Sequence, residues 1–409
     1  MEELDYDYHI RLTDIPAYQG AKKLSCSGCV NLREIPMIMS LTEIHCYRCV
    51  SLKEIPMLPN LVKLSCTECY NLKEIPMLPN LTKLYCCGTG LKELPSLPKL
   101  TFLDCQRMRN LIELPELKEL EKLICWGCKN LKTVRNFPNL VDLSCGHCSQ
   151  LTCISDLPKV EKISCTSCPE LKQIENVPNL TSLGCAYCGS LKEIPMLIKL
   201  TKLDCSCCVE LLNLPTLPNL TNLDCSWGPQ MELPKFPKLR ELRCCCVKFE
   251  IHPFPELEKL DCWGMSISFL PALPNLIELR CGYCNYLTEI PDLPLLTKLD
   301  ADSCKMLRKI PNLPKLVELR CGDCPSLTEI PDSPEPDDET SSPWIKYHSE
   351  YENNMKKLMR LQRFCKNYVQ YRRFSKWIKS REFAEWFYGP NQLGGRIAKR
   401  DLEYLLQQF

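Results

Sequence analysis

One phrase of twenty residues recurs along most of this chain, and LVKLSCTECYNLKEIPMLPN, Leu61 to Asn80, is a clean copy of it. Its anchor is a cysteine two residues after a leucine, or after Ile44 and Ile163 in two copies: Cys26, Cys46, Cys66, Cys86, Cys105, Cys125, Cys145, Cys165, Cys185, Cys205, Cys225, Cys244, Cys262, Cys281 and Cys321, with Ala301 in one copy. The steps are 20 residues, with a few of 19 or 18. Self-similarity at this period is the signature of stacked structural units, each burying its apolar face against the next.

Within each copy the L-x-x-L-x-C stretch alternates apolar and polar residues, which predicts a short strand. The same strand one copy later is its parallel neighbour, and sixteen strands at about 4.8 Å make a ladder roughly 75 Å long. The return stretch E-I-P-M-L-P-N carries most of the 33 prolines. Proline fixes φ and lacks the N–H, which favours extended backbone over helix. The fold class is therefore an α/β-type repeat protein: a leucine-rich-repeat solenoid with a parallel β ladder on its concave face and an irregular, proline-rich convex side. A degenerate copy precedes the first anchor, with Leu4, Tyr6, His9, Leu12, Ile15 and Pro16 matching Leu24, Cys26, Cys29, Leu32, Ile35 and Pro36. Terminal repeats cap the exposed core, so residues 1–20 are expected to be a capping repeat and residues 21–331 the solenoid proper.

The formal charge of +1 hides a split. Residues 344–409 hold 14 Lys and Arg against 6 Asp and Glu, which leaves 37 basic and 44 acidic residues elsewhere. That asymmetry suggests two modules with different partners. DSPEPDDETSSP reads as an acidic Pro/Ser linker over residues 332–343. No apolar run is long enough for a membrane span, and the acidic N-terminus is unlike a secretory signal. Those features place the protein in the cytoplasm, where 32 cysteines are thiols.

Ten copies contain C-x-x-C, a spacing that can hold zinc. Five consecutive copies make the region around Cys125, Cys128, Cys145, Cys148, Cys165, Cys168, Cys185 and Cys188 the place for such a site. Against this, Ala301 replaces one first cysteine, and Thr89, Met108, Gly228, Val247 and Met265 replace second ones. Ala, Val and Met cannot ligate as thiolates do, but they can fill a small apolar slot, as free Cys also does. Packing ladders of reduced thiols are the main reading, with no cofactor.

The residue one or two after the anchor is often aromatic: Tyr47, Trp126, Tyr187, Trp227, Trp263 and Tyr283, with His147 among them. Trp and Tyr on a rigid scaffold are typical of binding hot spots, and stacking between neighbouring turns is the alternative. In the last repeats, charges alternate in two columns: Glu241, Lys259, Glu278, Lys298, Glu318 and Arg243, Asp261, Arg280, Asp300, Arg320. In an in-register ladder each meets opposite signs, so this third is expected to be structural and the partner to sit nearer the aromatic middle.

Beyond the linker, 14 of 66 residues are aromatic, and Met355, Leu358, Leu361, Cys365 and Tyr368 keep helical spacing. Residues 344–409 are therefore expected to be a small helical region. Between Lys356 and Arg381 lie ten basic and no acidic residues, including Lys357, Arg360, Arg363, Lys366, Arg372, Arg373 and Lys376. They read either as a solvated helix face or as a site for nucleic acid, an acidic protein or an anionic membrane. LQRFCKNYVQYRR also partly resembles an IQ motif for calmodulin-like proteins, with Asn367 and Tyr371 departing from it.

The I-P-x-L-P-x-L phrase resembles the short-repeat leucine-rich effectors of bacterial pathogens. The L-x-C-x-x-C-x-x-L-x-x-I-P version, and the final FSKWIKSREFAEWFYGPNQLGGRIAKRDL, resemble leucine-rich-repeat proteins of giant, mimivirus-like DNA viruses. Some bacterial members carry a ubiquitin-ligase domain with a catalytic Cys-x-Asp, but here Cys365 precedes Lys366 and Asn367, so ligase activity is not carried over. With no nucleophile–base pair, phosphate loop or paired carboxylates, the expected function is a non-enzymatic module binding a host or viral protein through its concave face.

Overall fold

A computed structural model describes residues 2–247 and 251–328, all within one compact unit spanning Met1–Pro334. Seventeen strands of three residues each form one parallel sheet, running from Glu3–Asp5 through Lys23–Ser25 and Glu43–His45 to Glu318–Arg320. Register never slips: Leu4 faces Leu24, which faces Ile44, which faces Leu64. The central residue of each strand is buried and its two neighbours point out, as in Lys63, Leu64 and Ser65. This is a leucine-rich-repeat solenoid.

The rest of each turn follows a second rule. From Cys66 the buried residues fall at every third position: Cys69, Leu72, Ile75, Leu78, Leu81 and Leu84. A step of two, Leu84 to Cys86, then crosses the strand and closes the twenty. Period three is that of polyproline-II backbone, and period two that of a strand. Shortened copies lose their residue on the return side, where Leu91 follows Thr89 and Ile267 follows Met265 by only two. The strand ladder therefore keeps its register through every change of length.

Side chains tie turn to turn. The amides of Asn60, Asn80, Asn139, Asn179 and Asn219 donate to the carbonyls of Met39, Pro59, Lys118, Pro158 and Ile198 in the preceding turns, at 2.7–3.0 Å. The second cysteine does the same from inside. Cys148 Sγ donates to the Cys125 carbonyl, Cys168 to Cys145, and Cys188 to Cys165, each at 3.2 Å. A buried thiol is thus both filler and donor, and at Cys125 it shares the carbonyl with the Cys128 N–H at 3.2 Å.

The return side departs from the expectation of irregularity in one place. Thr133–Arg135, Cys153–Ser155 and Gln173–Glu175 form a second, three-stranded parallel sheet. The cause is local. Pro36, Pro56, Pro76, Pro95, Pro115, Pro195 and Pro215 occupy one column, and Arg135, Ser155 and Glu175 replace proline there in three consecutive turns. Those residues supply the N–H that proline lacks, and the turns pair. Among the described residues, where proline stands, pairing reaches only a single isolated bridge, Glu289 to Lys309.

At the N-terminal end, Glu3–Asp5 adds to Lys23–Ser25, Leu4 and Ile15 are buried, and Cys29 Sγ donates to the Tyr6 carbonyl at 3.0 Å. The expected acidic linker and helical region, residues 332–409, lie outside the described residues.

Candidate interaction surface

The aromatic candidates stand in the turn that leaves each strand, along one edge of the ladder. That edge has a fixed backbone. In all seventeen turns the residue two after the anchor has positive φ, thirteen times as a residue other than glycine. The conformation is held by the ladder's continuation: the His147, Tyr187 and Tyr283 N–H groups donate to the Thr166, Ser206 and Asp302 carbonyls of the following turns at 2.8 Å. Left-handed backbone costs a non-glycine residue about 1–3 kcal/mol. Gly28, Gly88, Gly127 and Gly264 avoid that cost, whereas His147, Tyr187, Trp227 and Tyr283 sit there at φ of 57–60°.

The other column, one after the anchor, holds Tyr47, Trp126 and Trp263. A large side chain here leans over the same position of the next turn. A Cβ on Gly146 would lie 3.1 Å from Trp126 Cδ1, and one on Gly282 would lie 3.2 Å from Trp263 Cδ1. The ring two after the next anchor then closes on the indole. His147 lies 4.9 Å from Trp126, and Tyr283 lies 5.0 Å from Trp263, centre to centre. The chain thus builds the same Trp–Gly–aromatic platform twice, once in each half. Arg107 covers the first indole at 5.2 Å, and Trp227 flanks the second at 6.3 Å. The residues that complete both platforms, Gly146 and Gly282, are legible in sequence only as C-G-[HY]-C following C-W-G.

The remaining candidates are dispersed. Tyr47 is half-buried beneath the Arg48 guanidinium at 5.4 Å, and Arg48 Nε meets Glu68 at 2.7 Å. Tyr187 is exposed, and the Cys207 thiol beside its hydroxyl raises its pKa. The seven residues therefore form two clusters and two single sites.

The second platform opens onto a depression of about 490 Å³. Its walls are Trp227 and Trp263, and its floor is the outward side of the last strands, from Asp261 through Glu278, Arg280, Lys298 and Asp300 to Glu318 and Arg320. The charge columns meet in alternating register, with Glu278 facing Lys298 and Arg280 facing Asp300. The expected separation of structural charges from an aromatic middle does not hold, because both occur in the same turns. A larger depression of about 680 Å³ lies on the return side beside the second sheet, lined by Pro138, Pro158, Pro178 and the row Asn136, Asp156, Asn176.

The eight cysteines considered for zinc are all buried. Burial, with the charge of neighbouring thiols, pushes Cys145 well above the ordinary thiol range. At Cys125 the Cys148 hydrogen bond pulls the value down, burial pushes it up further, and the net is about 11. The second cysteines Cys128, Cys148, Cys168 and Cys188 donate S–H to the carbonyls of Cys105, Cys125, Cys145 and Cys165, whereas zinc takes the thiolate. At Cys128 the hydrogen bond with Cys105 lowers the pKa. Among the described residues no group of three or more His, Cys, Asp or Glu is placed to hold one ion. Nor do they include a helix long and apolar enough to cross a membrane. The basic candidates Lys356, Lys357, Arg360, Arg363, Lys366, Arg372, Arg373 and Lys376 lie outside the described residues.

No family model matches this chain. No curated protein matches it either. Among solved structures it is similar to YopM from Yersinia enterocolitica WA-314, at 24% identity over 82% of this chain and 90% of that one, with a TM-score of 0.44. It is also similar to a leucine-rich repeat protein from Bacteroides ovatus ATCC 8483, at 16% identity over 80% and 88% of the two chains, with a TM-score of 0.33. Likeness at this level carries nothing about activity or partner.

Proposed function

We propose that the outward face of the ladder and its aromatic edge bind a protein partner, and that the protein is a non-enzymatic interaction module. One observation carries the reading. Tyr187, Trp227 and Tyr283 are 50–59% exposed at backbone positions where glycine would be less strained. Backbone conformation does not account for bulky aromatic side chains there, and Trp227 and Tyr283 stay about half exposed even though they pack against Trp263. Rigid, exposed aromatics are what interface hot spots require, because little entropy is lost when they are covered. The resemblance to repeat proteins of giant viruses would make the partner a host or viral protein met in the cytoplasm.

The test is a quantitative affinity capture from host-cell lysate, comparing wild type with a Trp126→Ala, Trp227→Ala, Trp263→Ala variant whose melting curve shows it folded. One protein enriched by wild type and lost from the variant supports the reading. Enrichment indifferent to all three tryptophans reduces them to packing. The basic segment around Lys356–Lys376 is a second proposed contact, for an acidic protein, nucleic acid or anionic membrane. It predicts salt-sensitive binding that disappears on deletion of residues 344–409.

A further inference from the structure

The geometry points to the depression beside Trp227 and Trp263 as a receptor for a cationic side chain, an arginine or lysine presented by a protein partner. The inference rests on the reading of this face as a protein-binding surface and names what that surface recognises.

The argument is an inventory of charges. Seven charged residues line the depression: Asp261, Glu278, Arg280, Lys298, Asp300, Glu318 and Arg320. All three cations are engaged. Arg280 turns to Glu278 in its own strand at 2.9 Å, Arg320 to Glu318 at 3.3 Å, and Lys298 to Glu318 at 3.6 Å. The in-register neighbours of Arg280 are Asp261 and Asp300, yet it forms its ion pair with neither. Among the described residues those two aspartates have no salt bridge. Their Oδ1 atoms are occupied locally: Asp261 accepts the Trp263 N–H at 3.4 Å and the Cys245 thiol at 3.2 Å, and Asp300 accepts the Asp302 N–H at 3.3 Å. Four carboxylates against three cations leave the lining one negative charge in excess, and Asp261 and Asp300, the two without an ion pair, carry it, with Arg243 and Arg320 as their outer in-register neighbours.

Position then selects the ligand. Asp261 is two residues from Trp263, whose indole lies over Gly282 with Trp227 at 6.3 Å. A cation over an indole face gains from the ring quadrupole, and Trp is the best of the aromatic rings for this. A guanidinium can stack on the ring and hydrogen-bond a carboxylate at once, which makes arginine the better fit and lysine the second. An anionic ligand would meet cations already paired, next to two carboxylates that have no ion pair. A purely apolar ligand would desolvate those carboxylates without replacing their hydrogen bonds.

The experiment uses the full chain and defined probes. Three peptides, acetyl-Gly-Gly-X-Gly-Gly-amide with X as arginine, citrulline or glutamate, are titrated while the indole N–H signals of Trp227 and Trp263 are followed by NMR. Citrulline keeps the shape of arginine and removes its charge. The expected result is saturable shifts with the arginine peptide, at least tenfold weaker binding of citrulline, and no shifts with glutamate. Asp261→Asn should weaken arginine binding about tenfold and Asp300→Asn less, with melting curves unchanged. Equal binding of arginine and citrulline, or indifference to both substitutions, overturns the inference. Capture from lysate separates the two readings. A partner lost with the tryptophan variant but retained by Asp261→Asn, Asp300→Asn leaves the binding face standing and removes the cation receptor.

Discussion

Turns whose return stretch contains I-P or L-P and the three turns that lack it share the same front ladder but differ behind. In Cys66 to Asn80 the backbone passes Pro76 without forming a strand. In the turns starting at Cys125, Cys145 and Cys165, the column reads Arg135, Ser155, Glu175 and a second sheet forms. Apolar spacing is the same in both, with Ile75 aligned with Val134 and Ile154. One absent N–H per turn decides whether neighbouring turns pair, while the buried pattern decides only that they stack. Stacking and pairing are separate properties in this solenoid.

The largest effect should be common to both regions, since the thiol core runs through each. Burial, ahead of the charge of neighbouring thiols, raises Cys145 in the two-sheeted region and Cys205 in a proline-lined turn. Burial likewise pushes Cys87, Cys245 and Cys321 up to about 12. A group raised above its unfolded value stabilises the fold below that value, here 9.0, and loses the contribution as pH climbs. Melting temperature should stay level from pH 6 to 8 and fall steeply above about pH 9, as the unfolded chain ionises. Hydrogen exchange should show both regions weakening together. A melting temperature unchanged at about pH 10.5 would contradict a core of buried, protonated thiols.

Next comes the backbone difference itself. Ser155→Pro restores the consensus residue at the centre of the second sheet and should cost about 1–3 kcal/mol, through a lost ladder hydrogen bond and its unpaired carbonyl. Pro76→Ser, in a turn with no such ladder, should cost less than about 1 kcal/mol, mostly through greater freedom of the unfolded chain. Urea titrations of both variants measure the contrast. Equal costs would mean that the second sheet adds nothing to stability.

How much of this was legible depends on which rule each residue obeys. The ladder was readable because Leu64 and Cys66 recur at fixed spacing, and burial demands that spacing. The second sheet was not, because its signal is an absence at residues 135, 155 and 175. An average over the repeats hides three missing prolines. The left-handed column was hidden because Arg48, Glu68, Tyr187 and Trp227 share no side-chain property. The ladder's hydrogen bonds impose the conformation there, against local preference. Trp126 and Trp263 were legible as candidates. Their support by Gly146 and Gly282 became visible only when the turns were stacked.

The two aromatic platforms sharpen the comparison, because one lies in each kind of turn. Gly146→Ala and Gly282→Ala each place a methyl group against an indole and against a backbone carbonyl, at 3.0 Å from Thr166 O and 3.2 Å from Asp302 O. Each should cost about 1–2 kcal/mol by overpacking and should alter the near-ultraviolet circular dichroism of the displaced tryptophan. If the platforms are the same device, the two costs match. A markedly larger cost at Gly146 would show that the second sheet stiffens the front of its turns as well.

The smallest effect isolates the row of polar turns that the missing prolines create. Asn136, Asp156 and Asn176 all have positive φ, and Asp156 accepts from the Asn176 amide at 2.7 Å and from the Ser155 hydroxyl at 3.0 Å. Those two hydrogen bonds, the amide first, hold its carboxyl below the ordinary 3.8. A depressed carboxylate pKa contributes stability above the unfolded value and loses it as pH falls through the folded one. Asp156→Asn, which keeps the shape without the charge, should therefore lower the urea midpoint slightly at pH 7. The gap to wild type should close as pH falls below 3.8 and through the depressed folded value. Met57 and Met77 hold the same place in proline-lined turns and have nothing to titrate. Methionine replacements there should give a difference from wild type that pH does not change. A gap at Asp156 that persists in acid would locate its contribution in the backbone turn, which asparagine also adopts, and not in the carboxylate.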